Sequence, residues 1–156
     1  MIKVHFFHKL EDRSAATILH LTKGGLNKYG QKYRFDHVCI ELTTGEIIWF
    51  KFSLYDPRDF DQVKDDNTGK SITTFELPIP DYFIINKRKE IGTLSFMRKD
   101  DYYKMWTLGY NPKSFFKNNK RAMSCSNVVA YCLGIENYYE IEPDDLFDIL
   151  NKYIKN

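Results

Sequence analysis

Disulfide scaffolds, zinc ribbons and membrane spans all leave marks that this sequence lacks. Its three cysteines, Cys39, Cys125 and Cys132, are an odd set with no C-x-x-C pair. Neither a disulfide framework nor a ribbon is signalled, and reduced thiols are expected. No apolar run approaches membrane-spanning length, and the N-terminal MIKVHFFHKLEDRS is interrupted by charge too soon for a secretory h-region. Cytoplasmic synthesis without a signal peptide is the expectation. Charge of neither sign prevails: 23 basic and 21 acidic residues leave a formal charge of +2, which gives no compositional case for a nucleic-acid or membrane partner. The basic runs Lys87 to Lys89 and Lys117 to Arg121 read as solvated surface. No repeat, low-complexity tract or Pro/Ser-rich linker divides the chain, and the polar stretch Tyr55 to Lys70 reads as a loop. Residues 1–156 are therefore expected to form a single domain.

Aromatic residues, by contrast, are plentiful. Twelve Phe and 11 Tyr supply large apolar side chains for a core that needs no disulfide or structural metal. Ile2 to Phe7 reads as a first strand, and Ser14 to Lys23 as a helix stopped by Gly24-Gly25. FDHVCIELTTGEIIWFKFS reads as an antiparallel hairpin from about Asp36 to Ser53, turning at Thr-Thr-Gly-Glu. Its alternation sets Val38, Ile40 and Leu42 on one face and His37, Cys39 and Glu41 on the other. A further strand is expected at Ser71 to Leu77 and a weakly periodic helix at Asp81 to Ile91, while Thr93 to Asn119 carries no clear pattern. From Pro143, the stripe Leu146, Ile149, Leu150, Tyr153 and Ile154 predicts a terminal helix with Pro at its first position and Asp144 and Asp145 in its first turn. Strands followed by helices, without regular alternation, indicate an α+β fold with an antiparallel sheet.

The chemistry-bearing stretch is RAMSCSNVVAYCLG. With Ser124 as N-cap, Cys125 takes the first position of a helix that ends at Leu133 and is terminated by Gly134. Free backbone N–H groups and the positive end of the helix dipole favour a thiolate there. The alternative is that Cys125 and Cys132, seven apart, share a helix face and simply pack. Four histidines compete as a base for the thiol. His5 and His8 lie in or near the first strand on opposite faces, and His20 lies in the first helix. His37 begins a strand face whose next member, Cys39, is small enough to admit a helix. No short-spaced ligand pair accompanies the histidines, so no metal or other cofactor is expected.

Four pieces taken in order, ATILHLTKG, FDHVCIEL, SCSNVVAYCLGI and IEPDDLFDIL, resemble the circularly permuted branch of the NlpC-like papain superfamily. In that branch a His-bearing strand precedes a Cys-bearing helix. The resemblance spans about Ile2 to Lys155 and is loose in the middle third. It implies a permuted papain-like fold in which Cys125 is the nucleophile and His37 the general base. It leaves the third member open, because the strand where relatives carry an orienting polar residue reads IIWFKFS here.

The function that the resemblance implies is a thiol hydrolase cleaving an amide bond, in a bacterial cell-wall peptide, through an acyl-enzyme. Compact members of the branch are frequent in bacteriophages, so a peptide or cell-wall substrate and other virion proteins are the expected partners. The alternative is a catalytically inactive scaffold acting as a virion-structural or binding protein, with Trp49, Phe50 and Phe52 in a core or on an assembly surface. Acyl transfer to or from a lipid, as in lecithin retinol acyltransferase-like proteins that share the permuted order, is a third option that no hydrophobic anchor supports.

Overall fold

The computed structural model describes residues 1–8, 29, 31, 34–48, 58–59, 71–91 and 125–155. The first strand, β1 (Ile2–His8), is buried at every position but Lys3 and half-buried His8, the pattern of a strand covered on both faces. It lies between β2 (Phe35–Glu41) and β5 (Ile72–Leu77), and the sheet continues through β3 (Glu46–Ile48) to the two-residue β4 (Arg58–Asp59) in the order β4-β3-β2-β1-β5. Each of these pairings is antiparallel.

The hairpin turn forms as its residues dictate. Leu42 and Glu46 close it, with the Leu42 N–H donating to the Glu46 carbonyl at 2.9 Å and the Gly45 N–H donating back to Leu42 at 2.9 Å. Gly45 sits at φ +89°, a left-handed conformation that a side chain disfavours and that three-residue hairpin loops require.

Helix α1 (Asp81–Ile91) is tied to this hairpin at both ends. The Asp81 carboxylate accepts from the Thr43 N–H at 3.1 Å and from the Thr43 hydroxyl. Arg88 donates to Glu46 at 2.9 Å. These polar ties fix a helix whose own apolar periodicity is weak, and its fully buried Ile84 side chain enters the core.

Helix α2 (Cys125–Cys132) is buried at all positions but Tyr131. It ends in a Schellman motif: the Ile135 N–H donates to the Ala130 carbonyl and the Gly134 N–H to the Tyr131 carbonyl, with Gly134 at φ +82°. A 3₁₀ turn, Tyr138–Glu140, leads to the last helix, α3 (Pro143–Lys155). The Phe147 ring of α3 packs on Phe6, Phe35 and Phe75 at centroid distances of 5.3, 4.6 and 5.2 Å, so α3 covers the Phe6 face of the sheet.

The strands expected at the N-terminus and after residue 70, the first half of the hairpin and the α1, α2 and α3 helices stand where the sequence places them, in an α+β arrangement. The helix expected over Ser14 to Lys23, the end of the hairpin through Ser53, the cap residue Ser124 and the patternless Thr93 to Asn119 lie outside the described residues.

Candidate functional site

Cys125 opens α2, and the ties of that helix's first turn decide where the sulfur stands. The Ser126 hydroxyl donates to the Ile141 carbonyl at 2.9 Å, and the Asn127 amide donates to the Tyr138 and Ile141 carbonyls, both at 2.8 Å. Two residues beyond Ile141, α3 begins. There the Asp144 carboxylate accepts the Arg34 main-chain N–H at 3.1 and 3.3 Å, immediately before β2. This chain of bonds holds the Cys125 end of α2 at the end of β2 that carries Phe35 and His37.

The faces of β2 are occupied as the alternation requires. Val38, Ile40 and Leu42 join Val4 and Phe6 of β1, and Cys125, Val128 and Val129 of α2, in one apolar cluster. Cys39 clusters with Phe7 and Ile47 on the other face. His37 pairs with Phe7 in the β1–β2 register, and the two rings lie 5.5 Å apart, so the His37 ring stands on the Phe7 and Cys39 side with its Nε2 atom buried. The small Cys39 predicts that the helix approaches the His37 face. The structure seats α2 on the apolar Val38 face instead, because that face buries aliphatic surface while the other carries an imidazole and a carboxylate. The structure thus ties the Cys125 end of α2 to the residue before β2, while Cys125 joins the apolar cluster on the Val38 face and the His37 ring stands against Phe7 on the other.

The three thiols differ in setting. None of the three forms a disulfide and all are buried; Cys39 and Cys132 are fully so, whereas Cys125 retains 9% exposure. Burial pushes the Cys132 thiol up to about 12, against a smaller downward pull from Arg88 and Lys87. Burial also raises the Cys39 thiol, and the neighbouring Cys125 and Glu41 raise it further.

On the Cys39 face lies a polar group that the sequence did not single out. His5 is 4% exposed; its Nε2 meets Glu41 Oε2 at 2.7 Å and its Nδ1 meets the Thr74 hydroxyl oxygen at 2.8 Å. Desolvation lowers the His5 pKa below its ordinary 6.5, with the Glu41 hydrogen bond and charge opposing. His8 points to the opposite face, where its Nε2 meets the Thr73 hydroxyl oxygen at 2.7 Å. Strand alternation gives the faces of Glu41 and of His5, but only the β1–β2 and β1–β5 registers set His5 within reach of Glu41 and Thr74. His20 lies outside the described residues.

Among the described residues, no group of three or more His, Cys, Asp and Glu side chains is placed to hold a metal ion, and no helix is long and apolar enough to cross a membrane. Comparisons with family models, with curated proteins and with solved structures find no match to the chain.

Proposed function

We propose that this chain is a thiol hydrolase that cleaves an amide bond, with Cys125 as nucleophile and His37 as general base on a permuted papain-like fold. The observation that carries the reading is that α2, described from Cys125 onward, is tied through Ile141 and Asp144 to Arg34, the residue before the strand that bears His37. A helix N-terminus offers free backbone N–H groups that favour a thiolate and donate to a developing oxyanion. In the proposed reaction the Cys125 sulfur adds to the amide carbonyl, and His37 takes the thiol proton and passes it to the leaving amine. Water then hydrolyses the thioester, returning the thiol. The cell-wall peptide substrate rests on the resemblance of the four motifs.

One observation favours a second reading, in which the scaffold binds a protein partner, such as another component of a virion, without catalysis. The His37 ring packs on Phe7, on the side of the sheet away from the cluster that contains Cys125.

Alkylation kinetics separate the two. Under the hydrolase reading Cys125 alkylates at neutral pH faster than a free thiol, His37→Ala slows it, and Cys125→Ser abolishes release of amines from peptidoglycan fragments or peptide amides while the fold is kept. A Cys125 that reacts like a free thiol, at a rate unchanged by His37→Ala, rules out the dyad and leaves the binding reading.

A further inference from the structure

Helix α3 turns its Leu146 and Leu150 side into the core and leaves a stripe of a different character outside. Along that outer side run Asp145, Asp148, Ile149, Lys152 and Lys155, spaced at three and four residues so that they share one helix face. An open groove of about 570 Å³ follows this stripe. Its carboxylates gather in the first half of the helix and its lysines in the last turn. Apolar side chains lie between and beside them, with Ile149 39%, Tyr153 62% and Tyr29 67% exposed.

We infer that this face of α3 pairs with the same face of a second copy of the chain, the two helices running antiparallel about a two-fold axis that meets this outer face at the level of Leu150 along the helix. The charge pattern selects this occupant. Asp148 and Lys152 lie equally far from Leu150 on either side, and so do Asp145 and Lys155. A single antiparallel register therefore sets Asp148 opposite the other copy's Lys152 and Asp145 opposite its Lys155, and the two-fold repeats both pairs. An isologous contact requires such a self-complementary surface. A parallel arrangement would instead set like charges against each other.

The same register brings Ile149 of each copy beside the axis, where it shields the ion pairs from water. The carboxylates are already oriented within their own chain: Asp145 accepts from the Tyr29 hydroxyl at 3.2 Å and from the Glu142 N–H at 3.0 Å, and Asp148 accepts from Arg34 at 2.9 Å. The Asp148 carboxylate has lone pairs to spare for a lysine across the axis. One helix pair buries less than the roughly 1,600 Å² of a standard stable interface, so the dimer is weak and dissociates with salt.

Sedimentation equilibrium of the full chain tests this at low ionic strength and at about 0.5 M salt, where surface charges are screened. The expected result is a concentration-dependent monomer–dimer equilibrium that shifts toward monomer in salt. Lys152→Glu with Lys155→Glu weakens association about tenfold or more, while Lys89→Glu, an exposed charge reversal on α1, leaves it unchanged. Ile149→Cys gives a disulfide-linked dimer under mild oxidation, whereas Tyr82→Cys on α1 does not. A wild type that stays monomeric at low salt overturns the inference. So does a lysine double variant that associates like wild type, or crosslinking through Tyr82→Cys as fast as through Ile149→Cys.

Discussion

The main-chain N–H of Arg34 donates to both oxygens of the Asp144 carboxylate, joining the start of β2 to the first turn of α3. Asp144 is 4% exposed, and the Arg34 guanidinium reaches back to the Asp144 carbonyl at 3.2 Å. Asp144→Ala leaves the Arg34 N–H without this acceptor and lowers stability by about 1–3 kcal/mol, the usual cost of losing one partner of a buried hydrogen bond. Asp144→Asn keeps an acceptor oxygen and costs less. Urea denaturation midpoints measure both.

Asn127 joins α2 to the segment before α3, donating to two carbonyls from a position with 2% exposure. Asn127→Ala removes both bonds and is expected to cost about 1–3 kcal/mol. Because these bonds also place the Cys125 end of α2, the same variant alters the Cys125 alkylation rate. A destabilised Asn127→Ala protein with an unchanged Cys125 rate would show that the tie serves stability alone.

Gly134→Ala tests the helix stop. A Cβ at Gly134 meets the Phe83 ring at 3.5 Å, an ordinary contact, so the cost comes from the backbone. Holding alanine at φ +82° costs about 1–2 kcal/mol, read as a lower thermal midpoint with an unchanged far-UV spectrum.

The thiols are expected to react in a fixed order. At pH 8 iodoacetamide modifies Cys125 first in the native protein, because Cys39 and Cys132 are fully buried and burial holds both thiols well above the ordinary range. All three react once the chain is unfolded. Mass spectrometry of digests resolves the order, and modification of Cys132 before Cys125 in the native protein contradicts it.

His5 gives the fold an acid-sensitive element. Its folded pKa lies below the ordinary 6.5 because burial disfavours the imidazolium, so the unfolded chain binds the proton more readily. The His5 contribution is fully present above pH 6.5 and erodes as the pH falls from there through the lowered folded pKa. His5→Gln flattens the stability profile in this window. The carboxylates Asp81 and Glu90, held below their ordinary values by hydrogen bonds from Thr43 and Tyr131, titrate at lower pH and leave it unaffected. Thermal midpoints between pH 7 and 5 compare the two proteins.

Local pattern determined the elements. Alternation in FDHVCIEL fixed which residues share a strand face, Gly45 and Gly134 fixed the hairpin turn and the end of α2, and Pro143 with the stripe through Leu150 fixed α3. Each depends on residues within a few positions of one another, so the chain alone specifies them. Even α1, whose apolar periodicity is weak, stands at Asp81–Ile91; its ties to Thr43 and Glu46 come from elsewhere in the chain.

The candidate site depended on contacts between distant segments. That the Cys125 end of α2 is tied to the residue before β2 follows from bonds of Ser126 and Asn127 to Ile141 and of Asp144 to Arg34, none of which has a local signature. The face of β2 that receives α2 was decided by burial across the whole sheet: Val38, Ile40 and Leu42 complete an apolar layer with Val4 and Phe6, and moving α2 to the His37 face would cover the Glu41 carboxylate and expose that layer. The same non-local registers made His5, Glu41 and Thr74 one hydrogen-bonded group. A periodic pattern names the face a residue occupies, and only the packing of the whole chain names what lies against it.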